Sequence, residues 1–503
     1  MALVLALLAL LVAEDDMPRP KANARKSDPA KNALLKTLNP HAAGIDIGAR
    51  EIWVAAPPGS APADVAPPGL PPPREWRGSV PDDTFERVRR FGSFTADLQA
   101  IASWLKQCGV TTCAMESTGV YWIALYDLLQ SQGFEVLLVD PRQTTRAPGR
   151  PKTDKHDSMW IQRLHGLGLL SAAFRPEEKI RVWRSYQRHR ANLIDDAARH
   201  LQRLQKALEQ MNVKLTEVVS DVAGVTGTAI VKAILLGERD PLKLAKLRDP
   251  RCRHSEETIA RALEGTWRAE HLLELRHSLE LYEYCHQKAR ECDAAIEEHL
   301  KGLALPDVKP LGAKSRPRKL KDNEPRFDAR HRLQQVAGVD LTAIEGIQER
   351  TALVVLSEIG TDMRRWQNEK LFGAWLGLAP CPKKSGGRVL SSGTRPGKNR
   401  AAAALRLAAR NLQRSKSALG AFFRRIASRR GVQKAITATA YKLARIIYAM
   451  LKHGQEYAAV GMEEYEAAYR ERALRSLQKR ARELGYELTQ LPQEQPHADP
   501  TMH

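Results

Sequence analysis

Residues 42–56 read AAGIDIGAREIWVAA. Two short apolar runs flank a tight Asp-Ile-Gly turn, which is the pattern of a β-hairpin. Working outward, residues 57–73 hold PPG, PPG and PPP and form a loop. A third strand is expected near 88–94, then a helix over 95–107 with Leu98, Ile101, Ala102 and Leu105 on one face. VTTCAME (110–116) and FEVLLVD (134–140) read as buried strands, separated by a helix carrying Val120, Ile123, Leu125 and Leu128.

That order, β-β-β-α-β-α-β-α, predicts an α/β ribonuclease H-like domain: a mixed sheet with helices on its faces. Beyond Pro176 the text turns helical. Ala197, Leu201, Leu204, Leu208, Met211, Leu215, Val218 and Val222 alternate steps of four and three, the seam of a coiled coil or helical hairpin. A weaker seam runs from Leu272 through Leu275, Leu279, Tyr282, His286, Ala289, Asp293 and Ile296 to Leu300. His286 fits there as a polar residue setting register better than as a ligand. KSRPRKLKDNEPR (314–326) reads as an exposed basic linker. LTAIEGIQERTALVVLSEIG (341–360) places two helical stretches around Glu345-Gly346-Ile347, the outline of a helix-hairpin-helix whose turn at Gly346 approaches a phosphate. An ordinary helical hairpin is the alternative. The expected organisation is a leader (1–40), an α/β domain (41–176), a helical region (177–305), a basic linker (306–330), a basic, mainly α C-terminal domain (331–455) and a tail (456–503).

Charge narrows the function. The 503 residues carry 79 Lys and Arg against 58 Asp and Glu, a net +21, which calls for a polyanionic partner such as nucleic acid. Between Glu369 and Glu456 lie 86 residues with 19 Lys or Arg and no acid. Phe372, Trp375, Leu376, Leu405, Leu407, Phe422, Phe423, Ile426, Leu443 and Ile447 supply that stretch with a core, so a folded domain should lie against a phosphate backbone. Six cysteines form no CxxC pair, which argues against a zinc finger or disulfide framework and favours a reducing cytoplasm. The apolar run 2–12 is too short to span a bilayer and reads as an over-extended start ahead of Met17, with a membrane or secretion signal as the alternative; no membrane partner is expected for the chain behind it.

Four carboxylates fall where chemistry needs them. Asp46 ends the first apolar run and Glu116 ends VTTCAME. Asp154 and Asp157 stand three apart on one face at the start of a helix carrying Trp160, Ile161 and Leu164. Grouped carboxylates repel unless hard cations neutralise them, and two Mg²⁺ ions suit phosphodiester chemistry. Arg146, Arg150, Lys152 and Lys155 surround the last pair and are candidates to hold phosphates. Asp140 also ends a strand and rivals the others, and Asp154 has the alternative role of capping its helix. In the acid-free stretch, Ser385-Gly386-Gly387 and Ser391-Ser392-Gly393-Thr394 form a Gly-rich loop among Lys383, Lys384, Arg388, Arg395, Lys398 and Arg400. A serine there suits nucleophilic attack, and a phosphate grip with no covalent step is the plainer reading.

GIDIGAR (44–50), AMESTGVYW (114–122) and GRPKTDKHDSMWIQRLHGLGLL (149–170) resemble the DEDD, RuvC-like domain of bacterial transposases of the insertion-sequence family numbered one hundred and ten. LTAIEGIQERTALVVLSEIG, residues 372–409 and ITATAYKLARIIY (436–448) resemble that family's C-terminal transposase domain. The resemblance implies metal-binding carboxylates at Asp46, Glu116, Asp154 and Asp157 and a serine nucleophile at Ser385, with Ser391 and Ser392 as alternatives. It also implies DNA as substrate, a composite site shared between subunits of a homodimer or homotetramer, and in some members a bridge RNA as guide. The rival readings are a RuvC-like, metal-dependent junction nuclease and a domesticated nucleic-acid-binding protein without catalysis. An actin-like kinase lacks its second Gly-rich phosphate motif here.

Overall fold

The computed structural model describes residues 37–60, 87–117, 119–144, 153–306, 308, 311, 320–397, 399–459 and 461–489. The apolar leader, most of the Pro-rich insertion, the first half of the basic linker and the end of the tail lie outside them. The chain divides into two units, one ending at Arg175 and one starting at Pro176.

The first unit is built on a five-stranded mixed sheet of order β3-β2-β1-β4-β5. Its strands are β1 (Ala42–Ile47), β2 (Ile52–Ala55), β3 (Val88–Phe91), β4 (Thr112–Glu116) and β5 (Glu135–Val139). β1 to β3 form an antiparallel meander, and β4 and β5 run parallel to β1. The helices are α1 (Thr95–Gln107), α2 (Trp122–Ser131), the short α3 (Pro141–Thr144) and α4 (Asp154–Gly166). The order of elements is the one expected. Two details differ. Gly48 N–H donates to Glu51 O (2.9 Å), so the hairpin turn is Gly48–Glu51, and Asp46 and Ile47 belong to β1. α2 starts only at Trp122 because Gly119 takes a left-handed φ of 59°; Val120 precedes the helix and is 67% exposed, and Ile123 is 42% exposed.

Strand alternation sorts the sheet into two faces. Ala43, Ile45 and Ile47 of β1 join Cys113 and Met115 of β4 in one core with Ile101, Leu105, Leu125 and Leu129 of α1 and α2. The other parity, Ala42, Gly44, Asp46, Thr112, Ala114 and Glu116, faces α4. Gln162 Nε2 donates to Ala42 O (3.2 Å), and Thr112 Oγ1 lies 2.9 Å from His165 Nε2.

In the second unit α5 (Glu178–Gln210) and α10 (Ala269–Lys301) form an antiparallel hairpin. The weaker seam lies wholly on α10, with Leu275, Leu279, Ala289, Ile296 and Leu300 buried. The stronger seam leaves its helix at Gln210, where Asn212 takes φ 57°. Met211, Leu215, Val218 and Val222 instead join a cluster at the hairpin's tip. That cluster is built from α6 (Leu215–Val218), α7 (Val225–Leu235), α8 (Pro241–Ala245) and α9 (Glu256–Ala262). Thus the seam is filled within one chain. His286 is buried with its ring edge-on to Tyr282 (4.6 Å) and serves the seam. Nearer the hairpin's open end than its tip, Arg190 Nε and Nη2 donate to the two oxygens of Asp293 (2.5 and 3.2 Å), both side chains 4% exposed. Arg190 also reaches Asn323 O, and Arg326 N–H donates to Asp293 Oδ2 (3.2 Å). Residues 320–327, expected as free linker, are therefore pinned to the hairpin, with Glu324 buried.

The C-terminal helices are α11 (Ala329–Ala337), α12 (Glu349–Ile359), α13 (Glu369–Trp375), α14 (Arg400–Asn411), α15 (Ala418–Arg430), α16 (Val432–His453) and α17 (Met462–Glu483). The expected first helix of the 341–360 motif is only a 3-10 turn, Leu341–Ala343, with α11 before it. Phe372, Leu376, Leu405, Phe422, Phe423, Leu443 and Ile447 are buried as anticipated. Leu407 is not: it is 61% exposed, because two helical steps from Leu405 carry it about 200° around α14. Among the described residues no helix is long and apolar enough to cross a membrane.

Asp293→Ala would leave the Arg190 guanidinium buried beside a lost counter-charge, a change that costs about 3–5 kcal/mol. Calorimetry should show the second unit's transition shifted down by several degrees, with Arg190→Met/Asp293→Leu recovering most of the loss.

Candidate functional site

One missing methyl group locates the site. A Cβ on Gly44 would stand 2.2 Å from the backbone N of Gln162 and 2.3 Å from Ser158 O, so α4 lies directly on β1. Gln162 sits over Ala42 and Ser158 over Gly44. The preceding helical turn, with Asp154 and Asp157, therefore comes over Asp46. Glu116 arrives from the side. β4 runs parallel to β1 with Ala42 opposite Thr112 and Ile45 opposite Met115, so the next step sets Glu116 beside Asp46. Both carboxylates thus stand at the carboxyl ends of adjacent parallel strands, on the face covered by α4.

The cap of α4 is Thr153, not Asp154: Thr153 Oγ1 accepts from His156 N–H (3.4 Å) and lies 2.7 Å from His156 Nδ1. Asp154 is left exposed for another role, and the positive end of the helix dipole favours both acids in this first turn. Asp46 feels the convergence. Burial, then the charges of Asp154, Asp157 and Glu116, push its carboxyl from 3.8 up to about 7.

Glu116 is steadied by residues that sequence reasoning missed. Thr144 Oγ1 lies 2.9 Å from Glu116 Oε2 and 2.8 Å from Pro141 O. Trp160 Nε1 on α4 donates to Thr144 O (3.0 Å) and ties α3 to the helix bearing the two aspartates. No local signal links residues 116, 144 and 160; only the shared sheet edge does. The rival Asp140 turns its carboxylate onto Arg142 N–H (2.9 Å).

The charges of the other three carboxylates reach Asp46 without the four forming a closed shell. Among the described residues no three His, Cys, Asp or Glu side chains make a ready ion cage. The donor set still fits a hard divalent cation. It is all oxygen, it includes two rigid strand positions, and its central member has its carboxyl raised to about 7 by burial and then by the neighbouring negative charges. Of the expected phosphate-holding cations, Lys155 lies on α4, where burial lowers its ammonium pKa. Arg146, Arg150 and Lys152 fall outside the described residues.

The Gly-rich segment is a β-hairpin rather than a loop. β6 (Lys383–Ser385) and β7 (Arg388–Ser391) are joined by Gly386-Gly387, whose φ values of 54° and 76° suit a tight two-residue turn. Ser385 pairs with Arg388 at the turn, and Ser391 with Lys383 two residues back. Every residue of this ribbon is exposed, as are Ser392, Arg395 and Arg400; Lys398 lies outside the described residues. Gly346 has φ 87° and packs on α14, since a Cβ there would meet Leu412 (3.0 Å) and Ala408 O (3.2 Å). The left-handed backbone and the close packing both call for glycine at this position.

Two family models match the chain. A transposase model of the DEDD, IS110 type matches residues 79–213, and one described as the transposase IS116/IS110/IS902 family matches residues 326–424. Glu116, Asp154 and Asp157 fall in the first and Ser385 in the second, while Asp46 precedes both. No curated protein matches the chain.

The raised Asp46 carboxyl favours folding at low pH and loses that contribution as pH rises through about 7. In EDTA, Asp46→Asn should therefore melt above the unaltered protein at pH 8, with the gap closing towards pH 5. Mg²⁺ should raise the melting temperature of the unaltered protein more than that of the variant. Identical melting curves in EDTA at both pH values would refute the crowding of charge at Asp46.

Proposed function

This chain belongs to the IS110 family of transposases, and we propose that it excises and inserts a mobile DNA element by cleaving and rejoining strands. The proposed machinery is a ribonuclease H-like carboxylate site, Asp46, Glu116, Asp154 and Asp157, together with Ser385 as nucleophile. The observation that carries the reading is the convergence on Asp46 of three other carboxylates, Glu116 from one strand end and Asp154 and Asp157 from one helix start.

Family members work with a divalent metal, and two Mg²⁺ ions suit this oxygen-only donor set. When bound, such ions supply Lewis-acid polarisation of the phosphodiester and neutralise charge at its oxygens. The chain's own residues do the rest. β1 and β4 hold Asp46 and Glu116 rigidly, Thr144 limits the rotation of Glu116, and α4 presents Asp154 and Asp157 from above. Lys155 offers a cation at the same edge for a backbone phosphate.

Ser385 supports the covalent half of the reaction by position. It flanks a tight turn, is open to solvent, and pairs with Arg388, so that a guanidinium shares its face of the ribbon and is available to a phosphoryl oxygen. Its oxygen would form a phosphodiester with the cut strand as the bond to the leaving oxygen breaks. The serine proton ends on that departing hydroxyl. Attack by a new hydroxyl end reverses the exchange, so strands are rejoined with no external energy source. Ser391 and Ser392 are less suited, being set back from the turn. DNA is the substrate; a guide RNA and a dimeric or tetrameric working form are part of the proposal.

Excision of the parent element in a heterologous bacterium, read by PCR across the circular junction, tests this reading. Junctions should form with the unaltered protein and disappear with Asp46→Asn and with Ser385→Ala. Junctions that persist in Ser385→Ala would remove that serine from the mechanism and leave water, Ser391 or Ser392 as nucleophile.

A further inference from the structure

The β6–β7 ribbon holds two residues that a phosphate grip does not need. Val389 is 56% exposed and Leu390 69% exposed, on a ribbon whose other residues are also open to solvent. The pairing register shifts between Lys383 and Lys384, so Leu390 has no partner across the ribbon. Such a bulge re-aims side chains, and natural proteins keep bulges for that use. Lys384 pairs with Val389, while Ser385 pairs with Arg388. By strand alternation the hydroxyl stands on one face and Val389 on the other.

We propose that Val389 and Leu390 form a wedge that unstacks a base step of the duplex beside the phosphodiester attacked by Ser385. The inference rests on the proposed reading of this domain as the one that holds DNA. Charge complementarity selects the occupant. Lys383, Lys384 and Arg388 stand on the same ribbon, within a stretch of 19 cations and no acids, which suits a polyphosphate surface. A two-stranded ribbon fits a DNA groove. Cations satisfy the phosphates, but the surfaces of a duplex best able to receive a valine and a leucine are base faces, which become available when a step opens. Proteins that kink DNA use apolar side chains in this way. Opening the step also bends the strand around the ribbon, so that one strand meets the wedge on one face and the hydroxyl on the other.

The test uses the full chain carrying Ser385→Ala, which blocks exchange, and a duplex of the parent element's end with 2-aminopurine placed at successive steps across the cleavage point. Fluorescence should rise several-fold at one step on binding. Adding Val389→Ser and Leu390→Ser should abolish that rise while the duplex remains bound. Because all these positions are exposed, the variants should fold, and circular dichroism checks this. An undiminished rise in the triple variant, with DNA bound, overturns the wedge alone. A smaller assembly in the triple variant without DNA assigns the two residues to a protein contact and also overturns it. Failure of the unaltered protein to bind the duplex would overturn the DNA-holding reading as well.

Discussion

The backbone of one helix touches the backbone of one strand at Gly44, and the first unit's chemistry depends on that contact. Any side chain there would hold α4 off the sheet, because Gln162 N and Ser158 O stand closer to the missing Cβ than van der Waals contact permits. With α4 seated, Asp154 and Asp157 reach the carboxyl edge where β1 and β4 deliver Asp46 and Glu116. The cost of the arrangement falls on Asp46, whose carboxyl is raised to about 7, first by burial and then by the charges of its neighbours. Under the proposed function, that local electrostatic cost is what a bound cation would relieve.

The second unit solves the opposite problem. Its C-terminal stretch has cations and no acids of its own, yet two of the cations lie in the core. Lys442, 1% exposed, sits over the Phe422 ring (3.9 Å), and Arg445 pairs with Glu369 at the edge of the acid-free stretch (3.2 Å). Arg425 stacks on Tyr469 of α17 (3.7 Å), and Arg424 donates to the carbonyls of Ser415 and Gln413. Ring faces and peptide oxygens replace carboxylates as counter-groups. Further back, Arg184 and Arg188 bind Glu358 at the carboxyl end of α12, where the helix dipole adds to the attraction. What stays exposed, on the ribbon and at the start of α14, is the charge left for a partner.

Much of this was legible in the sequence, and the gaps have physical causes. α1 was readable to its ends because its apolar period is unbroken, and the strands because their runs are short and bounded. The start of α2 was misplaced because Gly119 delays it, a backbone effect that hydropathy does not register. The long seam on α5 continues in phase past Gln210 although the helix does not, since the same spacing also suits the tip cluster. The SGG segment read as a loop because its two glycines mark a turn equally well with or without flanking strands. Asp46, Glu116, Asp154 and Asp157 stood out singly as strand and helix ends, and the fold brings them together. The Glu116–Thr144–Trp160 chain could not be seen in advance, because each link is a hydrogen bond across tertiary space.

The α5–α10 hairpin has a mechanical consequence. Each helix has 33 residues, and at 1.5 Å per residue it extends about 50 Å. The tip cluster therefore rides on a lever arm. A tilt of about 5° at the base would sweep the tip through about 4 Å, by the same geometry. The Arg190–Asp293 clasp lies in the basal half of that arm, and it fastens residues 320–327 there as well. The segment leading into the C-terminal helices is thus fastened to the shaft near its base, by this buried clasp and by Arg332–Glu297 (3.2 Å), and the tip cluster at the far end has the full length of the arm between itself and those anchors.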